Sequence, residues 1–142
     1  MNPFRTALLL ATICIVPIGT KAQDTRNTPE DFRVVFEDVQ RGFESGSVAE
    51  FSQRLALQVQ VALKGEEKGY YSSNHAYYLL ENFLKSRKVV SFEFTNVSDA
   101  ESTPYATGTV VFTSKGTRET NQIYVALMKS GERWLIVELN IY

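Results

Sequence analysis

The sequence predicts one α+β domain in which three helices pack on a strongly bent, mostly antiparallel sheet. Between residues 28 and 84, three segments carry apolar residues at spacings of three and four, which is typical of amphipathic helices. From residue 89 onward apolar and polar residues alternate, which is typical of strands with one buried face. Helices followed by a run of strands with short loops indicate an α+β domain, with bounds at residues 28–142.

The first 22 residues have the pattern of a secretory signal peptide. Arg5 supplies a positive charge, residues 6–19 form an apolar run, and Thr20 and Ala22 are small residues at the positions that precede a cut before Gln23. The run, at about 14 residues, is shorter than the roughly 20 that span a bilayer. We therefore expect an exported protein, periplasmic or extracellular, whose residues 23–27 form a flexible N-terminus and which keeps no membrane span.

The only cysteine of the chain, Cys14, lies inside this apolar run. It could instead carry a lipid, but lipoprotein signals place a small residue before the cysteine, and here that residue is Ile13. After cleavage the chain has no thiol, which excludes disulfides, cysteine catalysis and thiolate-bound metals.

Charge argues against a nucleic-acid partner. Removal of residues 1–22 leaves 13 lysines and arginines against 16 acidic residues, a net charge of about −3. Proteins that bind nucleic acids usually carry a basic surface, so we expect no such partner.

The first helix has a clear start. Thr28 is the predicted N-cap, Pro29 occupies the first helical position, and acidic residues fill the first turn. Gly42 and Gly46 are predicted to end the helix. Its apolar stripe consists of Phe32, Val35, Phe36, Val39 and Phe43.

Two more helices are predicted before the meander. Ser47 and Glu50 form a capping box for a short second helix that buries Val48, Phe51 and Leu55. The third helix is capped by Ser72 or Ser73. Its broad apolar face consists of Ala76, Tyr77, Leu79, Leu80, Phe83 and Leu84.

Strands account for the rest of the domain. Alternation over residues 57–64 predicts a strand that buries Leu57, Val59, Val61 and Leu63. In the last strand Trp134 and Ile136 share one parity, whereas Leu139 and Ile141 share the other, which predicts a bulge near Val137 and Glu138. Gly108, inside a strand, is interpreted as a bend.

Several short passages resemble one known family. They are Phe43-Glu44-Ser45-Gly46-Ser47, Tyr71-Ser72 followed by His75-Ala76, Leu80-Glu81-Asn82-Phe83, and the closing Trp134-x-Ile136-x-x-Leu139-x-Ile141. Over residues 28–142 the chain resembles the nuclear transport factor 2-like superfamily, and within it a family of small exported bacterial proteins described as a domain of unknown function. The resemblance implies a cystatin-like cone, with a concave sheet wrapped against the helices and a pocket at its open end. It brings no catalytic residue with it.

Few residues suggest chemistry. His75 is the single histidine and lies in the first turn of the third helix, where it could act as a base or a hydrogen-bond donor. Tyr70 and Tyr71 lie beside the same helix terminus and could hold an apolar or anionic ligand. Some members of the superfamily are isomerases and dehydratases with tyrosine and acidic or histidine residues in the pocket, so Tyr71, His75 and Glu138 are the catalytic candidates if the protein is an enzyme.

No cofactor is predicted from the sequence. One histidine without cysteine is a poor basis for a zinc site, and the glycines are isolated rather than grouped in a phosphate-binding loop. The interpretation we favour is an exported binding or interaction protein without catalytic activity, with an unknown small molecule or protein as its partner. The alternative is a pocket enzyme of the isomerase or dehydratase type. Unpaired strand edges and one open sheet face also suggest a homodimer.

The exported protein should begin at Gln23 or at its cyclised form, because Ala22 supplies the small residue at the cut. Intact-mass measurement of secreted material checks this. A mature species that retains Cys14 with an added lipid mass would instead place the protein on a membrane surface.

Overall fold

The structure, a computed structural model, describes residues 29–66, 68–100 and 102–142. Within these ranges it confirms the α+β class. The described residues form two α-helices, two short 3-10 turns and six strands. The elements are α1 (Arg33–Ser45), the turns Val48–Glu50 and Ser52–Arg54, β1 (Leu55–Ala62), β2 (Gly69–Ser72), α2 (Ser73–Lys85), β3 (Lys88–Ser98), β4 (Tyr105–Ser114), β5 (Thr117–Ser130) and β6 (Arg133–Ile141). The predicted signal peptide, the flexible residues 23–27 and the cap at Thr28 lie outside the described residues.

The strands form one sheet in the order β2-β1-β6-β5-β4-β3. All neighbouring pairs are antiparallel except β1 and β6, which are parallel. Strands β3 to β6 follow one another through short loops and form the predicted meander. Both helices pack on one face of the sheet, which we call the helix face, and the other is the helix-free face.

Helix α1 begins later than predicted, because Phe32 is its N-cap and Pro29 and the first acidic residues precede it. Four residues of the predicted stripe, Val35, Phe36, Val39 and Phe43, are in the core, whereas Phe32 packs against it partly exposed. The helix ends at Gly46, whose φ of 69° is left-handed and whose N–H reaches the carbonyls of Gly42 and Phe43. Gly42 does not end the helix, contrary to the prediction. A Cβ there would lie 2.5 Å from the Phe51 ring, so the glycine allows close packing of that ring.

The predicted second helix is wrong: residues 48–54 form only the two 3-10 turns. Ser47 makes no side-chain capping bond, and Glu50 pairs with Arg41 at 3.1 Å instead of closing a capping box. Phe51 stacks on Phe43 with ring centroids 5.9 Å apart. The predicted residues Val48, Phe51 and Leu55 are buried, but tertiary packing over a segment this short replaces the regular helix.

Helix α2 matches its prediction closely. The Ser72 hydroxyl accepts a hydrogen bond from the His75 backbone N–H at 3.3 Å, so Ser72 is the N-cap. Four residues of the predicted face are buried and Tyr77 and Leu79 pack against them partly exposed. The buried four are Ala76, Leu80, Phe83 and Leu84.

Strand β1 departs from strict alternation. Val59, Val61 and Leu63 are buried as predicted, but Leu57 is 88% exposed. Leu55 pairs with Ile136 and Gln60 pairs with Glu138, so between these two pairs β1 contains more residues than β6. The extra residues of β1 bulge out, and Leu57 leaves the core with them.

The bulge predicted in the last strand is confirmed. Ala126 pairs with Glu138 while the next residue, Leu127, pairs with Ile136, which leaves Val137 as the extra residue of β6. Trp134, Ile136, Leu139 and Ile141 are consequently all buried, although their parity changes.

Gly108 lies at a point where the β3 backbone packs tightly against β4. The register of β3 against β4 shifts between Phe94 and Asn96, next to the pairing of Phe94 with Gly108. A Cβ on Gly108 would lie 2.1 Å from the Glu93 carbonyl oxygen. Only glycine fits without displacing β3, which accounts for a glycine inside this strand.

Hydrogen bonds and ion pairs connect the segment before α1 to β6. Trp134 donates its backbone N–H to Glu30 Oε2 at 3.1 Å and its indole N–H to the Glu30 carbonyl at 2.9 Å. Arg54 pairs with Glu30 and, at 3.2 Å, with Asp38. Burial acts to raise the pKa of Glu30, but the Trp134 N–H and Arg54 outweigh it and the pKa is lowered.

Phe83→Ala should destabilise the fold by about 3–5 kcal/mol, because it removes a buried ring that packs edge-on against Phe112 with centroids 5.5 Å apart. Ser72→Ala should cost about 1 kcal/mol, since it removes one capping bond. Urea titrations of both variants measure the two free energies of unfolding. The reverse ranking would contradict the packing described for α2.

Glu30→Gln should lower stability at pH 7 more than at pH 3. A carboxylate whose pKa is lowered by folding contributes stability above its unfolded value, near 4.5, and that contribution is lost as the pH falls through the folded value. Urea titrations at both pH values check this, with Glu37→Gln, at an exposed position of α1, as the matched control. Equal losses at both pH values would contradict the role given to the Glu30 charge.

Candidate functional site

A groove of about 300 Å³ lies between α2 and the edge of the sheet formed by β1 and β2. We call it the α2 groove. Its walls are apolar and its rim is polar, a combination common in ligand sites. The lining residues are Val61, Leu63, Glu66, Tyr71, His75 and Leu79.

The structure brings two of the predicted site residues together in this groove. The rings of Tyr71 and His75 meet edge to face, with centroids 4.9 Å apart and planes at 75°. The Tyr71 ring lies across Gly69, where a Cβ would be 3.2 Å from the ring and hydroxyl atoms. The capping bond from the His75 N–H to Ser72 holds the backbone of the first turn of α2, from which the His75 side chain extends.

Tyr70 lies on the other side of the sheet. Val59 pairs with Tyr71 and Gln60 pairs with Tyr70, and successive residues of a strand point to opposite faces. The Tyr70 side chain is 73% exposed and does not line the α2 groove. The two adjacent tyrosines therefore do not form one aromatic clamp.

Glu138 also lies on the helix-free face. It pairs with Gln60 of β1, whereas Tyr71 pairs with Val59, so the carboxylate and the Tyr71 ring are on opposite sides of the sheet. Glu138 Oε1 accepts hydrogen bonds from Gln60 Nε2 at 2.8 Å and from Asn140 Nδ2 at 2.6 Å. The three catalytic candidates, Tyr71, His75 and Glu138, therefore do not converge on one point.

The acidic residue that does reach the groove is Glu66, which the sequence did not single out. It follows β1 in the turn after Leu63, and its backbone N–H donates to the Leu63 carbonyl at 2.8 Å. A charged loop between two strands gives no indication in the sequence that one of its acidic residues lines a groove beside a later helix.

The pKa values of two tyrosines that do not line the α2 groove are raised. The pKa of Tyr77 is raised by its hydrogen bond to Glu81 on the outer side of α2. The pKa of Tyr124, on the helix-free face, is raised first by burial and then by the negative charge of Glu138.

The part of the chain that the structure describes has neither a metal-binding cluster nor a helix suited to a membrane. No three histidine, acidic or cysteine residues there are grouped closely enough to hold a metal ion. No helix among these residues has the length and apolar character that a membrane crossing requires.

Comparison with known proteins places the chain in a family. Residues 36–142 match a family described as a domain of unknown function (DUF4783). No curated protein matches. A DUF4783 family protein from Bacteroides uniformis superimposes with a TM-score of 0.67 at 16% identity, covering 74% of this chain and 93% of that chain.

Two other solved structures share the fold at similar coverage. A candidate ketosteroid isomerase from Shewanella frigidimarina has a TM-score of 0.58 at 18% identity, covering 77% of this chain and 92% of its own. A candidate dehydratase of the nuclear transport factor 2-like family from Streptomyces avermitilis has a TM-score of 0.61 at 13% identity, with 77% and 90% covered. At these identities the likeness concerns the fold alone. The match over residues 36–142, together with the shared architecture, identifies the chain as a member of the DUF4783 family with a nuclear transport factor 2-like fold.

Proposed function

We propose that the protein is an exported binding or interaction domain without catalytic activity, and that the α2 groove holds its ligand. One observation carries the proposal: Glu138 lies on the opposite side of the sheet from Tyr71 and His75. The set of residues that the sequence offered for catalysis is therefore divided between two faces, and acid–base catalysis needs its groups within reach of one substrate.

The groove is suited to a small apolar group with a polar end. Val61, Leu63 and Leu79 provide apolar walls, and Tyr71 and His75 place polar atoms at the rim. Its volume of about 300 Å³ is at the lower end of ordinary ligand sites, so a small molecule or a single side chain of a partner protein fits best.

Export is part of the same proposal. It is supported by the charge, apolar run and small residues of positions 1–22, which together have the pattern of a signal peptide. An exported binding domain would meet its ligand in the periplasm or outside the cell.

The alternative function is a pocket enzyme of the isomerase or dehydratase type. It is supported by Glu66, which lines the groove together with Tyr71 and His75 and so offers a carboxylate, a phenol and an imidazole around one space. A homodimer is a separate proposal, supported by the exposed apolar side chains Leu57 and Met128, and sedimentation equilibrium would test it.

Binding in the groove can be tested with the fluorescent probe N-phenyl-1-naphthylamine, which combines an apolar body with a polar N–H group and carries no charge that Glu66 would repel. Tyr71→Ala should weaken probe binding by about tenfold, because it removes the aromatic wall of the groove. Tyr70→Ala is the matched control, since the neighbouring tyrosine lies on the other face, and it should change the affinity less than about twofold. Fluorescence titrations at pH 7, after circular dichroism has shown that each variant is folded, measure both effects.

His75→Ala should weaken the probe less than Tyr71→Ala, because His75 is more exposed at the rim. Equal affinities for the Tyr70 and Tyr71 variants would contradict the groove as the binding site. A larger loss at His75 than at Tyr71, with a bell-shaped pH dependence near neutrality, would favour the enzyme.

A further inference from the structure

A second and larger cavity, of about 470 Å³, lies on the helix-free face across β3 to β6. We call it the sheet-face pocket. It is separate from the α2 groove, which lies on the helix face. Its lining includes Thr95, Thr107, Thr109, Gln122, Tyr124 and Glu138.

The carboxylate of Glu138 is held in place within this pocket. Gln60 and Asn140 both donate to Oε1, which restricts the rotation of the carboxylate. Asn140 is 1% exposed, and its Oδ1 atom is buried without a hydrogen-bond partner among the described residues. The amide group of this buried side chain therefore donates to Glu138 and holds the carboxylate from below the pocket lining.

The charge of Glu138 is not neutralised by a basic side chain of the pocket. The lining contains no lysine or arginine, and the ion pairs found among the described residues do not include Glu138. The negative charge acts on its surroundings, since it contributes to the raised pKa of Tyr124 after the larger effect of burial.

An aromatic wall lies next to this charge. Tyr124 and Tyr142 line the same pocket as Glu138. The Tyr124 ring is held from the side by the ring of Tyr105, with centroids 5.6 Å apart and planes inclined by 30°. Aromatic faces and a fixed carboxylate are the two groups that bind organic cations. The threonine and glutamine side chains supply acceptors for the remaining hydrogens of an ammonium group.

We propose that the sheet-face pocket binds a small organic cation, an ammonium group attached to an apolar or aromatic body, with Glu138 as its counter-ion. The hydroxyl and amide groups of the pocket could also hold a neutral polyol, but a neutral ligand would leave the Glu138 charge without a counter-ion in a partly buried site. An anion would be repelled by the same charge.

Benzylammonium is a suitable probe, with benzyl alcohol and benzoate as its neutral and anionic counterparts. Isothermal titration calorimetry on the exported protein at pH 7 should show binding of benzylammonium at least about tenfold tighter than that of benzyl alcohol, and no binding of benzoate. Equal affinity for the ammonium and the alcohol, or no binding of benzylammonium, would overturn the proposal.

Two variants locate the binding. Glu138→Gln keeps an oxygen that can accept from Gln60 and Asn140 but removes the charge, so the affinity for benzylammonium should fall about tenfold, whereas Glu37→Gln on α1 should leave it unchanged. Gln122→Arg, at an exposed position of the lining, adds a competing positive charge and should abolish binding without unfolding the protein. Retained binding in Gln122→Arg, with thermal melts that show a folded variant, would overturn the assignment even if Glu138→Gln proved unstable.

Discussion

The bulge at Val137 is the constraint on which the rest of the structure depends. Strand β6 lies between β1 and β5 in the sheet, so any change in its alternation affects both neighbours. One extra residue lets Trp134 and Ile136 face the helices at one end of the strand and Leu139 and Ile141 face them at the other. Without it, one of these pairs would point away from the core. Because Val137 is the extra residue, the Glu138 side chain that follows it points to the helix-free face.

Trp134 links this strand to the start of α1. Its backbone and indole N–H groups both donate to Glu30, which precedes α1. Arg54 pairs with Glu30 and also with Asp38, which lies within α1. The partly buried acids gain hydrogen bonds that offset their loss of water, which is why charged residues are tolerated at this junction. The N-terminal helix is therefore held by directional polar contacts as well as by its apolar stripe.

The division of the sheet into two faces shapes the functional conclusions. On the helix face, aromatic rings of α1 pack against those of β3 and fill the space between helix and sheet. The α2 groove remains open at the edge formed by β1 and β2. The helix-free face carries threonine, glutamine and tyrosine side chains around the Glu138 carboxylate. Because a strand points alternate residues to opposite faces, adjacent residues such as Tyr70 and Tyr71 belong to different surfaces. A single sheet thus presents two chemically distinct recesses.

The sequence by itself determined the class of the fold, the apolar face of each long helix and the bulge in β6, because local spacing decides these features. It narrowed the cap of α2 to Ser72 or Ser73, and the structure decided for Ser72. It did not determine the form of residues 48–54 or the exposure of Leu57. There the packing of Phe51 on Phe43 and the mismatch in length between β1 and β6 override local preference. Only the tertiary structure decided that Glu66 joins Tyr71 and His75 while Glu138 faces the other way. Which side chains share a cavity depends on strand register, and register is a relation between segments that are distant in the chain.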